Sequence, residues 1–332
     1  MRVAVLGAGA WGTALAIALA RKHEVRLWGR DAAQLASIAG TRTNSKYLAG
    51  VALDASIHVT AILAEAIGDA ELALIVTSTG GLAATVSGVL ETAARSSPDS
   101  LPLVWACKGF NKSTGQLPHE IIVALVPAGT RYGALSGPSF ADEVAHGLPC
   151  ALTLASNDFA FANATAAALN GGALRVYSSA DLIGVELGGA LKNVMAIAAG
   201  ISDGMQLGLN ARAALITRGL AEMVRLGVAM GGKPETFMGL TGVGDLILTA
   251  TGSLSRNRKV GMLLAQGKSL DSILSELGHV AEGVNSAAST LALAHRHRVG
   301  MPITEAVNAV LFAQADPRDA VKALLAREAK AE

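Results

Sequence analysis

Lys192 and Asn193 stand in the middle of an otherwise largely apolar segment, VELGGALKNVMAIAAG, residues 185–200. An ammonium group is costly to bury unless something anionic or strongly polar faces it, so such a lysine either extends to water or faces a ligand. On a helix, Gly188 and Gly189 would lie on the same face as Lys192. Because these glycines have no side chains, a ligand or a neighbouring backbone could come close, and we expect Lys192 to face a cleft between two domains.

A second group of residues that could bind a ligand lies in GLTGVGDLILTATGSLSRNRKVG, residues 239–261, which is predicted to be a polar loop. Ser255, Arg256 and Asn257 come together here, ahead of a helical run. A guanidinium group binds two phosphate oxygens at once, so this triplet suits a phosphate monoester. Asp245 could accept a hydrogen bond from a substrate hydroxyl. From composition alone, a surface loop with a solvated charge cluster is the alternative.

Gly7, Gly9 and Gly12 form a GxGxxG turn between an apolar strand at residues 2–6 and a helix at about residues 12–22. In a dinucleotide-binding fingerprint these glycines permit the tight turn, the approach of a pyrophosphate and the close packing of helix on strand. A second strand follows within about 30 residues, as the fingerprint requires. We therefore expect a nicotinamide dinucleotide at this turn, and a glycine turn without a ligand is the alternative.

The preference between the two nicotinamide dinucleotides depends on the end of the second strand, where Arg30 precedes Asp31. An acidic residue there accepts hydrogen bonds from the ribose hydroxyls of NAD, whereas an arginine accommodates the 2′-phosphate of NADP. This order favours NADPH without excluding NADH. An ordinary solvated loop arginine is the alternative for Arg30.

Short β-like runs alternate with helical patterns through the first half of the chain. They lie at residues 57–60, 72–76, 103–106, 133–136, 151–154 and 174–177. The alternation predicts a doubly wound, largely parallel sheet of the Rossmann type. Ligands of such sheets bind beyond the carboxyl ends of the strands, where Ser78-Thr79, Lys108-Gly109 and Gly137-Pro138-Ser139 stand. A lysine after a strand is more often a plain loop residue, and only its neighbours favour a role for Lys108.

The strand patterns stop after Ser179, and helical patterns follow. They lie at residues 181–201, 210–230, 269–277, 282–296, 304–312 and 317–328. Asn210 and Asp316 are predicted N-caps, and a proline follows Asp316 at the first helical position. We therefore expect an α/β dinucleotide-binding domain at residues 1–180 and an all-α substrate and catalytic domain at residues 181–332.

Composition and charge argue against several other classes of protein. The net charge of +1 leaves no basic stripe for nucleic acid. Two cysteines, Cys107 and Cys150, make no disulfide framework, which fits a reducing cytoplasm. Residues 3–20 imitate a signal peptide or a short membrane span, but their three glycines and the strand that follows indicate a folded unit. No other stretch is expected to span a bilayer, and the basic cluster at residues 295–298 lacks further metal ligands.

Along essentially its whole length the chain resembles the bacterial-type NAD(P)-dependent glycerol-3-phosphate dehydrogenases. The resemblance rests on blocks in the same order: GAGAWGTALA, ACKGF, GPSFADEV, ELGGALKNVMAIAAGISDG, TRGLAEM, GLTGVGDLILT, SRNRKVG and VAEGV. The chain has Ala10 where family members often have serine, and Ala250 where they often have cysteine. The first departure bears on one cofactor hydrogen bond, and neither touches the chemistry that the family implies.

The resemblance implies a set of site residues. It makes Lys192 the proton donor and acceptor at the C2 oxygen of the substrate, supported by Asn193 and Thr249. It assigns substrate contacts to Lys108, Gly137, Ser139, Lys192, Asp245, Ser255, Arg256 and Asn257. Besides the three turn glycines, it assigns dinucleotide contacts to Trp11, Arg30, Lys108, Ala141, Arg256, Val280 and Glu282, and it implies no metal.

The implied reaction is the reversible reduction of dihydroxyacetone phosphate by NAD(P)H to sn-glycerol 3-phosphate, the backbone precursor of phospholipids. Negative charge builds on the ketone oxygen during such a reduction, and a cationic lysine can stabilise that charge while it supplies the proton. The apolar helices of the second half could also form a homodimer interface. Two alternatives stay open: a Rossmann reductase of another hydroxy acid or sugar acid, and a non-catalytic dinucleotide sensor.

Overall fold

The structure is a computed structural model that describes residues 1–94, 101–277 and 282–326. The chain divides into two compact units, Met1–Val185 and Glu186–Glu332. This division lies five residues after the domain boundary expected from the sequence (185 against 180), because the first turn of the long helix that follows packs with the sheet. Leu182 and Val185 both contact the apolar core of the first unit.

The first unit alternates strands and helices. In chain order its described elements are β1 (Arg2–Leu6), α1 (Ala10–Ala20), β2 (Glu24–Trp28), α2 (Ala32–Thr41), β3 (Thr43–Asn44), β4 (Leu48–Ala52), β5 (His58–Thr60), α3 (Leu63–Ile67), β6 (Leu72–Ile75), α4 (Thr79–Ala93), β7 (Leu103–Trp105), α5 (Pro118–Leu125), β8 (Tyr132–Ser136), α6 (Ala141–Ala145), β9 (Cys150–Ser156), α7 (Phe159–Leu169) and β10 (Leu174–Ser179).

Eight of these strands form one sheet in the order β10-β9-β8-β7-β6-β1-β2-β5. Neighbouring strands are parallel except for β8 and β9, which pair antiparallel. The predicted Rossmann-type sheet is therefore confirmed. The reversal at β9 and a separate antiparallel pair, β3 with β4, are features that the sequence did not predict.

Apolar side chains cover both faces of the sheet. In β1, Val3 and Val5 face a layer that includes residues of α1, α2, α6 and α7. Ala4 and Leu6 face the opposite layer, which includes residues of α3, α4 and α5. Because both faces are buried, the central strands are almost continuously apolar.

The second unit is helical throughout its described residues, as predicted. It contains α8 (Leu182–Gly204), α9 (Gly208–Ala229), α10 (Pro234–Phe237), a π-helical turn (Leu240–Gly244), α11 (Asp245–Thr251), α12 (Arg256–Ala265), α13 (Leu270–Leu277), α14 (Glu282–Arg296), α15 (Pro302–Phe312) and α16 (Pro317–Leu325).

The prediction of a polar loop at residues 239–261 is wrong for most of that segment. It contains the π-helical turn, all of α11 and the first half of α12. Its glycines allow backbones to pack closely: a Cβ atom at Gly242 would collide with the carbonyl of Phe237, and one at Gly261 with the carbonyl of Ile197. Glycine here marks contact between helices, whereas its abundance had suggested an irregular loop.

The two predicted N-caps have different outcomes. Asp316 caps α16, because its carboxylate accepts a hydrogen bond from the Arg318 N–H at 2.7 Å. Asn210 is not an N-cap, since α9 begins two residues earlier, at Gly208. A glycine with positive φ (88°) makes that earlier start possible.

The long helix α8 corrects one expectation about membrane spans. By length and composition alone, Leu182–Gly204 could cross a bilayer, although no stretch after residue 20 had been expected to do so. In the structure, however, 89% of its most apolar stretch is buried inside the protein. Its apolar character therefore reflects an interior position.

Glu222 of α9 is a buried carboxylate that caps a different helix. It is 1% exposed and accepts hydrogen bonds from the N–H groups of Ile303 (2.6 Å) and Thr304 (3.2 Å), in the first turn of α15. The Thr304 hydroxyl donates a further bond at 3.1 Å. Burial raises the pKa of this carboxyl group, while those hydrogen bonds and Arg225 oppose the shift.

The variant Glu222→Gln should be less stable than the wild type at pH 5, by about 1–3 kcal/mol, since its amide N–H groups would face donors. A raised folded-state pKa contributes stability that is greatest below the unfolded-state value and is lost as the pH rises through the folded-state value. The difference in thermal unfolding midpoint between the two proteins should therefore narrow as the pH rises above the ordinary carboxyl value of 4.5. Scans at several pH values measure this, and a gap that widens with pH would contradict the assignment.

Candidate active site

The glycine turn after β1 is shaped by close backbone contacts. Gly7 has φ of 134°, and a Cβ atom there would lie 2.6 Å from the Val76 carbonyl oxygen. A Cβ atom at Gly12 would collide with the carbonyl of Gly7. Gly9 differs from both, since a Cβ atom there would meet nothing within 4 Å. The turn is therefore held tightly at its first and third glycines and open at its second.

The open space at Gly9 lies at the N-terminus of α1. Gly9 is the N-cap residue of that helix and has no side chain to cap it. The first N–H groups of a helix lack intrahelical partners and carry partial positive charge, so they suit a pyrophosphate. The open space beside these N–H donors, which we call the glycine cradle, therefore fits a dinucleotide. A larger residue at Gly9 would fill part of this space.

Arg30 and Asp31, at the end of β2, have different surroundings. The Asp31 carboxylate caps α2 by accepting a hydrogen bond from the Gln34 N–H at 3.0 Å, and it also pairs with Lys46 at 3.6 Å. The hydrogen bond from Gln34 lowers the pKa of Asp31. Arg30 is exposed and makes no hydrogen bond or ion pair with the described residues. The Asp31 carboxylate is thus used to cap α2, whereas the Arg30 guanidinium group is accessible to a ligand.

Lys108, Gly137 and Ser139 lie together beyond the carboxyl ends of β7 and β8. The Lys108 Nζ atom donates a hydrogen bond to the Gly137 carbonyl oxygen at 2.8 Å, and the Ser139 hydroxyl donates to the same oxygen at 3.0 Å. Gly137 has φ of 138°, a value that favours glycine. Trp11 and Ala141 are half-buried against the apolar core nearby in the same unit. The structure thus brings together the three substrate residues that the sequence placed in this half.

Lys192 lies inside the second unit, where it is 7% exposed. Its Nζ atom lies 2.6 Å from Oδ1 of Asp245 and 2.8 Å from Oγ1 of Thr249, both in α11. Asp245 is 1% exposed. The sequence left two possibilities for Lys192, that it extends to water or that a ligand faces it; the groups that face it in the structure are Asp245 and Thr249. These two contacts satisfy donors of the ammonium group and give it a fixed direction.

Gly188, one turn before Lys192 in α8, lets α11 approach. A Cβ atom at Gly188 would collide with the carbonyl of Thr241, in the π-helical turn that leads into Asp245. The sequence left open whether a ligand or a neighbouring backbone uses this glycine face. At Gly188 it is a neighbouring backbone, and the close approach brings the carboxylate within reach of the lysine.

Ser255, Arg256 and Asn257 form the start of α12, and each has a different role in the structure. Ser255 is the N-cap, and its Oγ accepts a hydrogen bond from the Arg258 N–H at 3.2 Å. The Asn257 amide donates to Oδ1 of Asn193 at 2.9 Å and accepts from the Gly283 N–H at 3.0 Å. Arg256 is exposed and makes no hydrogen bond or ion pair with the described residues. Its guanidinium group is therefore free for a ligand.

Two further residues that were predicted to contact the dinucleotide, Val280 and Glu282, belong to the second unit. Glu282 is the first residue of α14 and is half-buried. Val280 lies outside the described residues. Sequence reasoning missed Asp203, Arg212 and Arg258, which form an ion-pair cluster beside the start of α12. No local pattern marks this cluster in the sequence, since Asp203 and Arg258 lie 55 positions apart.

The parallel sheet with its open glycine cradle, together with a buried lysine–aspartate pair, defines the class of the protein as a dinucleotide-dependent oxidoreductase. Two family models match: NAD-dependent glycerol-3-phosphate dehydrogenase N-terminus over residues 2–162 and C-terminus over residues 181–322. The chain therefore belongs to the NAD-dependent glycerol-3-phosphate dehydrogenase family, and the predicted resemblance is confirmed.

Individual relatives agree with this membership. The chain is 56% identical to a glycerol-3-phosphate dehydrogenase [NAD(P)+] of Aromatoleum aromaticum, over 100% of both chains. It is 56% identical to one of Ralstonia nicotianae, over 100% of this chain and 99% of the relative. The crystal structure of glycerol-3-phosphate dehydrogenase from Coxiella burnetii has a TM-score of 0.91 and 39% identity, over 98% of both chains. These relatives do not favour a reductase of another hydroxy acid or a non-catalytic sensor.

The variant Gly188→Ala should lose activity, because its methyl group would push the Thr241 backbone and so displace Asp245 from Lys192. We expect a loss of about tenfold or more in kcat, since a small misplacement of catalytic groups can cost up to about 100-fold. Steady-state kinetics at a temperature where the variant remains folded measure this. Gly40→Ala is the matched control: Gly40 lies in helix α2, with nothing within 4 Å of its Cβ position. Equal activity of the two variants would contradict the account of Gly188.

Proposed function

We propose that the protein catalyses the reversible reduction of dihydroxyacetone phosphate to sn-glycerol 3-phosphate, with NADPH or NADH as reductant. The observation that carries this proposal is the buried Lys192–Asp245 pair, at 2.6 Å, in a helical unit that also contains Arg256, an exposed arginine without a partner among the described residues. The pair suits proton transfer to a ketone oxygen, and the arginine suits a phosphoryl group. The names of the relatives at 56% identity support the same substrate.

Lys192 provides the proton. The chemistry that a reduced nicotinamide supplies when bound is the transfer of two electrons and one hydrogen to the carbonyl carbon. The Lys192 ammonium stabilises the negative charge that grows on the carbonyl oxygen and then gives that oxygen its proton, and the amine regains a proton from solvent. In the oxidation direction the neutral amine accepts the hydroxyl proton. Asp245 and Thr249 keep the nitrogen in one position throughout.

Arg256 binds the phosphoryl group in this proposal, with Ser255 and Asn257 beside it. A guanidinium group donates two parallel hydrogen bonds to a phosphate, and the N-terminus of a ten-residue helix adds partial positive charge. Lys108, Gly137 and Ser139 are the substrate contacts that we assign to the first unit. Asp245 acts on the substrate through Lys192, the group that its carboxylate faces.

The first unit binds the dinucleotide in this proposal. Gly7, Gly9 and Gly12 form the cradle for the pyrophosphate, and the exposed Arg30 meets the 2′-phosphate of NADPH, which makes NADPH the favoured cofactor. The other dinucleotide contacts are assigned to Trp11, Lys108, Ala141, Arg256, Val280 and Glu282. Residues 1–180 thus serve the cofactor and residues 181–332 the catalysis. A homodimer, a cytoplasmic location and a role in phospholipid synthesis stay predictions.

The decay of NADPH absorbance after addition of dihydroxyacetone phosphate tests the proposal, and the same assay with NADH gives the cofactor preference. The variant Lys192→Met should lower kcat by about 10²–10⁴-fold, because general acid–base catalysis contributes that much. Its dissociation constant for NADPH should stay close to that of the wild type, measured by fluorescence titration.

Lys322→Met is the control for this variant, since the Lys322 side chain is 77% exposed. It removes a lysine without touching Asp245. Normal turnover of Lys192→Met would refute the role of the lysine. Binding of NADPH by the wild type without any turnover of dihydroxyacetone phosphate would instead favour the dinucleotide sensor.

The variant Arg256→Ala tests whether the protein recognises the phosphoryl group of its substrate. Its KM for dihydroxyacetone phosphate should rise by about ten- to 100-fold, the value of one or two hydrogen bonds to a charged group. Turnover of dihydroxyacetone, measured at high concentration, should change much less. Arg318→Ala, at an exposed arginine in the first turn of α16, is the control. Equal losses with both ketones would argue against a phosphoryl contact.

A further inference from the structure

Asp203, in the last turn of α8, binds two arginines at once. Its Oδ2 atom lies 2.7 Å from Nε of Arg258 and 3.0 Å from Nη1 of Arg212, which also lies 3.2 Å from Oδ1. The three side chains are 12%, 18% and 21% exposed, for Asp203, Arg258 and Arg212 respectively. Ion pairs so largely removed from water hold their geometry better than surface pairs. The cluster links the end of α8 to the starts of α9 and α12.

Arg258 is fixed at its backbone as well as at its side chain. Its N–H group donates to the capping Oγ of Ser255, and its carbonyl packs where a Cβ atom of Gly200 would collide with it. The guanidinium group is held by Asp203. Arg258 thus ties the first turn of α12 to α8 at two points, its carbonyl group and its guanidinium group.

Arg256 and Arg258 point in different directions from the same turn. Two residues along an α-helix are separated by about 200° around its axis. Arg258 is directed to Asp203, while Arg256 is exposed and has no partner among the described residues. The two arginines of the SRNR motif therefore have different tasks: one anchors the turn and the other is left for a ligand.

We propose that Asp203 is a positioning residue for phosphoryl recognition, which acts through Arg258 to fix the helix turn that presents Arg256. This inference rests on the proposed function, because it assumes that Arg256 binds the phosphoryl group. It adds a residue whose own carboxylate is directed to arginines rather than to a ligand.

Electrostatics alone predicts that removal of the Asp203 charge strengthens phosphate binding, whereas the proposal predicts that it weakens binding. The direction of the change therefore tests the proposal. Removing the negative charge of Asp203 would make the region around α12 more positive, and a more positive region attracts phosphate more strongly. Loss of positioning would weaken phosphate binding. Asp203→Asn keeps the size of the side chain, so the direction of the change decides between the two effects.

The experiment measures steady-state kinetics of Asp203→Asn with dihydroxyacetone phosphate and with inorganic phosphate as a competing inhibitor. We expect KM and the inhibition constant of phosphate to rise together, by about three- to 30-fold, the usual range for coupled neighbours. The value of kcat should change less than twofold, because Lys192 and Asp245 are untouched. Asp319→Asn, whose side chain is 74% exposed and pairs with Lys322, is the matched control.

A double-mutant cycle with Arg256→Ala distinguishes positioning from a general loss of structure. If Asp203 acts through Arg256, Asp203→Asn should have little further effect on KM in the Arg256→Ala protein. Independent, multiplicative effects would overturn the proposal, as would a lower KM or a loss confined to kcat. Arg258→Lys keeps the charge but removes the Nε donor, so it should also raise KM. This variant replaces Asp203→Asn in the test if Asp203→Asn does not fold.

The two proposals fail in different ways. If Arg256→Ala has a normal KM for dihydroxyacetone phosphate, the phosphoryl contact itself is wrong, and the role of Asp203 falls with it. If Arg256→Ala is impaired while Asp203→Asn and Arg258→Lys match the wild type, only the positioning role is wrong.

Discussion

The buried ion pair between Lys192 and Asp245 is the interaction on which the helical unit depends. Both groups lose almost all of their hydration, a cost that only close contact and further hydrogen bonds can offset. The pair therefore requires α8 and α11 to lie near each other, in one register. Thr249 supplies a second acceptor for the ammonium, and Gly188 removes the side chain that would keep the backbones apart. A mismatch at any of these positions would leave a charge buried without its partner.

The requirement for close approach between helix backbones extends along α8 to the start of α12. Gly200 and Gly204 face the carbonyls of Arg258 and Met262, and Gly261 of α12 faces the carbonyl of Ile197. Each glycine lowers the intrinsic stability of its helix by about 1 kcal/mol relative to alanine. This cost is offset by backbone contacts that larger residues would prevent, so one helix fixes both Lys192 and the turn that carries Arg256.

Sequence reasoning succeeded where the physical signal is local. The glycine turn, the apolar strands and the lysine in the apolar segment of α8 can each be recognised from a few consecutive residues. The partner of Lys192 was not assigned from the residues alone, because Asp245 lies 53 positions away and the segment around it was taken for a loop. The reversal of β9 was missed because the side-chain pattern of a strand has the same period of two residues whether the strand runs parallel or antiparallel to its neighbour. The Asp203 cluster was missed because charged residues are usually solvated.

The distribution of charge in the helical unit has a consequence for the kind of ligand it can take. The buried carboxylates of Asp245 and Glu222 and the largely buried carboxylate of Asp203 are already engaged, by Lys192, by α15 and by two arginines respectively. Arg256 has no such partner among the described residues and stands at the positive end of α12. A guanidinium group that the fold leaves unneutralised, beside a helix N-terminus, favours a ligand that brings its own negative charge. A phosphorylated ketone meets that condition, whereas a neutral triose does not.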